Sequence, residues 1–142
     1  MTAKEYLRRY RDLNQHIDSK LDEIAHLREI ATKLSPTATF NQGGDISDKV
    51  GKTAAKIVDL QNEIDSEISE ICRIRSEIEQ TIAAVDDADC RLLLSLRYIN
   101  GYSWRRIAAK MAYSEDNVKG YLHQKALRKV ENIIQNGKIN TF

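Results

Sequence analysis

Proline occurs once in this chain of 142 residues and glycine six times, so few residues in it interrupt a helix. Aromatic residues make up 6% and charged residues 30% of the chain, a mixture typical of long amphipathic helices and unlike that of an all-β sandwich. No apolar run approaches the roughly 18 residues that a membrane helix needs, and no secretory leader opens the sequence. We therefore expect an all-α protein of the cytoplasm with no membrane partner.

The residues that enzymes use are also scarce. Cys72 and Cys90 are the two cysteines, too few for a zinc site. The Gly43-Gly44 pair lacks the rest of a phosphate-binding loop, and no nucleophile stands with a base. The sequence thus predicts a protein that is not an enzyme and has no cofactor, no metal and no small-molecule substrate.

The near-neutral net charge of +1 conceals two oppositely charged parts. Residues 1–90 hold 12 Lys and Arg against 18 Asp and Glu, a net charge of −6. Residues 91–142 hold 10 against 3, a net charge of +7. The C-terminal part therefore has the sign needed to approach a phosphate backbone.

Two long amphipathic patterns fill the acidic part. The first is a helix over 3–34 with apolar residues three and four apart: Tyr6, Tyr10, Leu13, Ile17, Leu21, Ile24, Leu27, Ala31 and Leu34. A loop at 35–47 follows, because it holds Pro36 and the glycine pair. The second helix, 48–85, carries a seven-residue repeat of Val50, Ile57, Ile64, Ile71, Ile78 and Val85.

These patterns predict an antiparallel coiled-coil hairpin over residues 1–85. The companion positions of the repeat are Ala54, Ile68 and Ile82, with Gln61 and Arg75 interrupting them. Leu60 and Ile74 lie beside this seam, so the apolar stripe is broader than a two-stranded contact requires. We expect the hairpin to form a homo-oligomer.

Residues 86–142 are predicted to form a second module, a helix-turn-helix. A helix begins near Asp87 and ends at Asn100-Gly101. Ser103 then caps one helix and Ser114 caps the next, around a tight turn at Ala112-Tyr113. The inner side chains are predicted to be Ile107, Met111, Tyr113, Val118 and either Tyr121 or Leu122, with Ala108 and Ala112 at the helix crossing and Trp104 in the core.

In a helix-turn-helix, the second helix presents its first exposed residues to base edges in the major groove. The candidates for base contact are Ser114, Glu115, Asp116, Asn117, Lys119, Gly120, His123 and Gln124. The candidates for phosphate contact are Ser103, Arg105, Arg106, Lys110, Lys125, Arg128 and Lys129. Alternatively, the acidic residues serve only as helix-start residues, and the cations form a solvated face.

The run from Leu92 to Val130 resembles region 4 of bacterial σ70-type sigma factors. The matching residues are Ser103, Trp104, Ile107, Ala108, Met111, Ser114, Glu115, Val118, Lys119, Leu122 and His123. The whole chain is similar to small phage and prophage proteins of Firmicutes, related to the RinA/ArpU late-gene regulators, through A-T-K-L-S, A-K-I-V-D-L and L-L-L-S-L-R-Y. The resemblance implies double-stranded DNA as a partner, transcriptional control in a bacterial host cell, and RNA polymerase as a further candidate partner.

The sequence is compatible with three functions. The first is a phage transcriptional regulator that binds specific DNA sequences and dimerises or contacts polymerase through its coiled coil. The second is a DNA-packaging protein like the small subunit of a phage terminase. The third is a coiled-coil protein that binds polymerase or a sigma factor without binding DNA.

Overall fold

The computed structural model describes residues 1–38 and 43–140, and among them all side chains except those of 34–38, 43–46 and 138–140. The described chain is helical and contains no strand, which confirms the predicted all-α class. Its α-helices are α1 (Ala3–Ala38), α2 (Gly43–Ala83), α3 (Ala88–Leu94), α4 (Trp104–Met111) and α5 (His123–Asn140). Two π-helical segments, Ser95–Ile99 and Asn117–Leu122, precede α4 and α5 respectively. No helix in the described ranges is apolar over the length that a bilayer crossing requires.

The predicted loop at 35–47 is wrong over most of its length. Helix α1 continues through Pro36 to Ala38, and α2 already begins at Gly43. Residues 39–42 of the predicted loop lie outside the described residues. The glycine pair lies in the first turn of α2, whose N–H groups have no partner within the helix in any case, and Pro36 lies in the last turn of α1. Turn-forming residues at such positions do not fix the residue at which a helix begins or ends.

The chain divides into two compact units. Met1–Asp12 and Ile71–Phe142 form one, which we call the terminal unit, and Leu13–Glu70 form the other, the central unit. This division differs from the predicted boundary between residues 85 and 86. One reason lies in the first turn of α1, where the Ala3 N–H donates to a carboxylate oxygen of Glu131 on α5 at 3.0 Å.

In the central unit, α1 and α2 run antiparallel. On α1, the Lys20 Nζ pairs with the Glu67 carboxylate and also lies 3.1 Å from that of Glu63, both on α2. One turn earlier on α1, the His16 Nε2 lies 3.4 Å from the Glu67 carboxylate. Ile17 and Ile24 of α1 are buried here, as are two residues of α2, Leu60 and Ile64. The helices therefore share an apolar seam, beside which Lys20 pairs with two glutamates of α2.

The repeat on α2 is predicted correctly at one seam position, and its companion position is predicted correctly only in part. Ile64, Ile71, Ile78 and Val85 are buried. Leu60 and Ile74, each three residues after a repeat position, are buried as well. Of the predicted companions, Ile82 is buried, whereas Ile68 is 46% exposed. Leu21 of the predicted α1 stripe is exposed as well, because Lys20 faces Glu67 instead.

The terminal unit packs α3, α4 and α5 with the first turns of α1 and the last turns of α2. Asp87 caps α3 by accepting from the Cys90 N–H at 3.0 Å, as predicted. Gly101, at φ 72°, ends the following π segment, also as predicted. Side chains with almost no exposure form the core: Leu7, Ile78, Val85, Cys90, Leu93, Leu94, Ile107, Val118 and Val130.

Candidate nucleic-acid interface

Two capped helical starts and one tight turn shape the candidate site. The Ser103 Oγ accepts from the Arg106 N–H at 3.2 Å, and the Ser114 Oγ accepts from the Asn117 N–H at 3.1 Å. Between them Ala112 adopts the left-handed conformation at φ 57°, ψ 38°, and helix resumes at Glu115. Each capping hydroxyl still has its own proton to donate, so both serines remain able to contact a phosphate.

The inner face of the two helices is largely as predicted. Ile107, Ala108, Val118 and Leu122 are buried, and Met111 is half-buried. Helix α4 and the π segment that follows the turn therefore pack on each other through small and branched side chains.

Both tyrosines predicted for that inner face lie outside it. Tyr113 is 41% exposed, and its hydroxyl donates to the Asp89 carboxylate at 2.6 Å. Tyr121 is 66% exposed, because Leu122 takes the inner position. The prediction for Tyr113 is wrong, and of the two alternatives, Leu122 is the correct one.

Most of the predicted base-contact residues face outward. Glu115, Asp116, Lys119, Gly120 and Gln124 are exposed, as is Ser114, and Asn117 is half-buried. A Cβ added to Gly120 would meet no atom within 4 Å, so packing does not require glycine there. Tyr121 is exposed as well and was not predicted as a candidate; choosing Leu122 as the inner residue would have identified it. We call residues 115–124, which carry these exposed side chains, the exposed segment.

His123 is the clear exception. It is 4% exposed, its Nε2 lies 2.7 Å from the Tyr98 hydroxyl, and the Trp104 ring meets it edge-on at 4.6 Å. Burial lowers the pKa of His123 to about 4, and the nearby charges of Lys4 and Arg97 add to the effect.

The prediction of a groove-facing His123 is therefore wrong. The i→i+5 bonding of the preceding π segment makes a turn wider than the 3.6-residue turn. A helical wheel drawn with a 3.6-residue turn does not place the residues after such a segment. The predicted core residue Trp104 is half-buried between His123 and the guanidinium of Arg97, which lies 4.4 Å from its ring centroid.

The predicted phosphate contacts fall into two groups. Arg105, Arg106 and Lys110 of α4 are exposed, and none of them pairs with a carboxylate in the part of the chain that the structure describes. The Arg106 guanidinium lies 3.7 Å from the ring centroid of Tyr102, and the Lys110 Nζ lies 5.5 Å from it. Arg128 on α5 is exposed too. These cations are available to a ligand.

Lys125 and Lys129, by contrast, are already paired. The Lys125 Nζ lies 3.0 Å from the Asp87 carboxylate, and the Lys129 Nζ lies 2.7 Å from that of Asp86. The Cys90 N–H and Lys125 together hold the pKa of Asp87 at about 2, and Lys129 lowers that of Asp86. These two lysines join α5 to the start of α3, so phosphate would have to displace a carboxylate to reach them.

The comparisons with known proteins place the chain in a family. Its fold is all-α, and its site is an exposed, cation-flanked helical start. The family model described as a protein of unknown function (DUF1492) matches residues 33–131, more than two-thirds of the chain, and the protein belongs to that family. The match spans α2, α3, α4 and both π segments. No curated protein and no solved structure matches the chain.

Proposed function

We propose that the protein is a sequence-specific DNA-binding transcriptional regulator of phage origin, which docks residues 86–135 on duplex DNA. One observation carries the proposal: the exposed cations of α4, without carboxylate partners among the described residues, flank the exposed segment that begins at Glu115. Phosphate contacts from such cations set the register of a protein on DNA, and the neighbouring helix reads the bases. The resemblance to σ70 region 4 supports the same assignment.

The exposed segment offers several chemistries to base edges. Lys119 suits the acceptors of guanine, Asn117 and Gln124 suit adenine, and Glu115 or Asp116 suits the cytosine amino group. Their positions at the start of a helix are those that enter the major groove in this class of motif. The proposal thus assigns sequence recognition to the exposed residues among 114–124, which exclude His123, and positioning to Ser103, Arg105, Arg106 and Lys110.

The pairing of the lysines supplies a matched test for the positioning role. Lys110→Gln and Lys129→Gln each remove one positive charge, but only Lys110 lacks a carboxylate partner among the described residues. We expect Lys110→Gln to weaken DNA binding and to lower the salt dependence of log K by about one unit. Lys129→Gln should change both much less. Fluorescence anisotropy with a labelled duplex over a series of salt concentrations measures both quantities.

Wild-type binding that does not depend on salt, or no DNA binding at all, would refute the proposal. Equal effects of the two substitutions would refute the assignment of α4 to the phosphates. A nuclease-treated pull-down that recovers a stoichiometric polymerase or sigma subunit, without any DNA shift, would favour the coiled-coil partner function instead.

The recognition role is tested by sequence. Selection from random duplexes identifies preferred sites, and Lys119→Ala should weaken those sites by roughly 1–3 kcal/mol while random DNA changes little. Arg106→Ala should weaken preferred and random duplexes alike, since a phosphate contact carries no sequence information. The division of roles is wrong if both variants lose the same affinity on random DNA.

The packaging function remains the second candidate because of exposed apolar residues on the central unit. Leu21, Val58 and Ile68 face solvent there, and a second chain that packed on them would remove this apolar surface from water. A terminase small subunit would assemble into a closed ring, whereas a regulator needs only a dimer. Assembly state therefore separates the two.

A further inference from the structure

Two lysines of α5 lie just beyond the exposed segment, and carboxylates at the start of α3 hold both of them. Lys125 comes directly after Gln124, the last residue of the exposed segment, and Lys129 lies one turn further along α5. The start of α3 also lies beside the tight turn, because Asp89 accepts a hydrogen bond from the Tyr113 hydroxyl at 2.6 Å. The carboxylates at the start of α3 are therefore close to both ends of the exposed segment.

The two ion pairs differ in how firmly the carboxylate is held. Asp87 caps α3 through the Cys90 N–H as well as pairing with Lys125, and its side chain is 26% exposed. Asp86 lies 2.7 Å from the Lys129 Nζ, and its side chain is 80% exposed. An ion pair with so exposed a partner contributes little to stability, so a competing anion can replace that partner. Asp86 is therefore the carboxylate that can leave its lysine.

The surroundings of this pair favour the exchange of Asp86 for another anion. The neighbouring charge of Asp87 repels the Asp86 carboxylate, although Lys129 has the larger effect and lowers the pKa of Asp86. The side chain of Lys129 is only 29% exposed, so packing around its aliphatic stem holds the ammonium group in place when the carboxylate moves away. The site that remains is a positioned cation, accessible to solvent from the side that Asp86 occupied.

We propose that Lys129 is a latent phosphate ligand of the DNA interface, and that Asp86 occupies it and so lowers the affinity of the protein for duplex DNA. This inference rests on the proposed DNA-binding function. A backbone phosphate that reaches Lys129 takes the place of the Asp86 carboxylate, so one charge-assisted contact is exchanged for another and little affinity is gained. Without the carboxylate, the same phosphate contact adds affinity on every sequence, because it carries no base information.

The test compares two variants that each lose one negative charge. Asp86→Asn releases Lys129, whereas Glu79→Gln releases Arg75, which lies 2.8 Å away on α2, in the same unit but outside residues 86–135. In fluorescence anisotropy with a labelled duplex of random sequence, Asp86→Asn should raise affinity roughly fivefold at 0.1 M salt and steepen the salt slope by about one. Glu79→Gln should change both much less. No gain from Asp86→Asn, or equal gains from the two variants, would overturn the proposal.

A double variant shows whether Lys129 carries the gain. In a Lys129→Gln background, Asp86→Asn should lose most of its effect on affinity, because no ammonium group is left to release. Asp86→Glu retains the carboxylate and should bind DNA as the wild-type protein does. A full gain in the Lys129→Gln background, or a gain in Asp86→Glu, would overturn the proposal.

The fold of the Asp86→Asn variant should remain intact. The Asp86 side chain is mostly exposed, and the cap of α3 is supplied by Asp87, which the variant retains. We therefore expect a thermal midpoint close to that of the wild-type protein together with the higher affinity. A damaged interface would lose affinity, which is the opposite of the expected change and would also overturn the proposal.

The two proposals fail in different ways. If the wild-type protein and the Lys110→Gln variant behave as expected but Asp86→Asn binds DNA no more tightly than Glu79→Gln, Lys129 is not a latent phosphate ligand and the proposed function stands. If the wild-type protein shows no salt-dependent DNA binding, the proposed function fails and the role of Asp86 fails with it.

Discussion

Ala112 holds a backbone conformation that disfavours every residue except glycine and, to a lesser degree, asparagine. At φ 57°, ψ 38° its Cβ crowds the backbone, which costs an L-residue roughly 1 kcal/mol. We therefore expect Ala112→Gly to raise the free energy of unfolding by up to about 1 kcal/mol, less the extra entropy of glycine in the unfolded chain. Urea unfolding followed by circular dichroism measures the change.

Ala109→Gly is the matched control, since Ala109 is an exposed residue inside α4. The same substitution there should lower stability by about 1 kcal/mol, because glycine is a poor helix former. A lower stability for Ala112→Gly would contradict the left-handed turn. The tight turn was predictable from the serine caps on either side, and alanine there already departs from the usual glycine.

His123 makes the stability of the terminal unit depend on pH. Its pKa of about 4 in the folded protein lies below the unfolded value of 6.5, so the unfolded chain binds the proton first as pH falls. The stability that the neutral ring contributes is complete above pH 6.5 and is lost progressively toward pH 4. By pH 5 the loss amounts to about 2 kcal/mol.

His123→Gln tests the assignment, because a glutamine amide stays neutral and still offers polar atoms to the Tyr98 hydroxyl. The variant should show a flatter stability profile between pH 7 and pH 4.5 in urea unfolding. Asp87, whose pKa is about 2, loses its contribution only as pH falls from 3.8 toward 2, below this range. A profile as steep as that of the wild-type protein would assign the pH dependence to other groups.

At the scale of the element, the features up to and within the π segment Asn117–Leu122 could be predicted from the sequence, and the orientation of the residue after it could not. The sequence correctly predicted a capped helical start at Ser114 and the inner residue Val118, and it left Leu122 as one of two alternatives for the next inner position. It misplaced His123, because i→i+5 bonding is not visible in hydrophobic periodicity. The companion position of the α2 repeat was predicted correctly at Ile82 and wrongly at Ile68, because Leu60 and Ile74 compete for it and only the partner helix decides between them.

Gly120 lies within this π segment at an open surface. Since an added Cβ would meet nothing, Gly120→Ala should raise stability by about 1 kcal/mol. If the glycine is present to let the DNA backbone or a base edge approach closely, the same variant should lose affinity for DNA. Unfolding and anisotropy measurements on one preparation give the two opposite changes.

Gly51→Ala is the control for that experiment. Gly51 lies in α2, where an added Cβ would also meet no atom within 4 Å, so alanine should stabilise that helix as well. It lies in the central unit, outside the proposed interface, and DNA affinity should not change. If the Gly120→Ala variant binds DNA as tightly as the Gly51→Ala variant, close approach of the DNA is not the reason for glycine at position 120.

At the scale of the whole molecule, the chain still divides into an acidic and a basic part, but the bounds of the two parts differ from those of the sequence split. The sequence split placed −6 on residues 1–90 and +7 on residues 91–142. The compact units instead carry +6 in the terminal unit, from 16 Lys and Arg against 10 Asp and Glu, and −5 in the central unit, from 6 against 11. Residues 1–12 and 71–90 both move from the acidic part to the basic one. A cut along the sequence cannot detect the move of the first twelve, because tertiary contacts such as that of Ala3 with Glu131 cause it.

The exposed apolar residues of the acidic central unit lead to a prediction about assembly. Val58 and Ile68 of α2 are each about half exposed, and a dimer or larger assembly that covers them would bury apolar area worth roughly 25 cal/mol per Å². We expect light scattering to show an oligomer that Val58→Ser/Ile68→Ser weakens, while Gln61→Ser/Asn62→Ser, on the same helix, leaves it intact. A dimer supports the regulator and a closed ring of many subunits supports the packaging protein. A monomeric wild-type protein at all concentrations would exclude assembly through this surface and leave the apolar residues to a different protein partner.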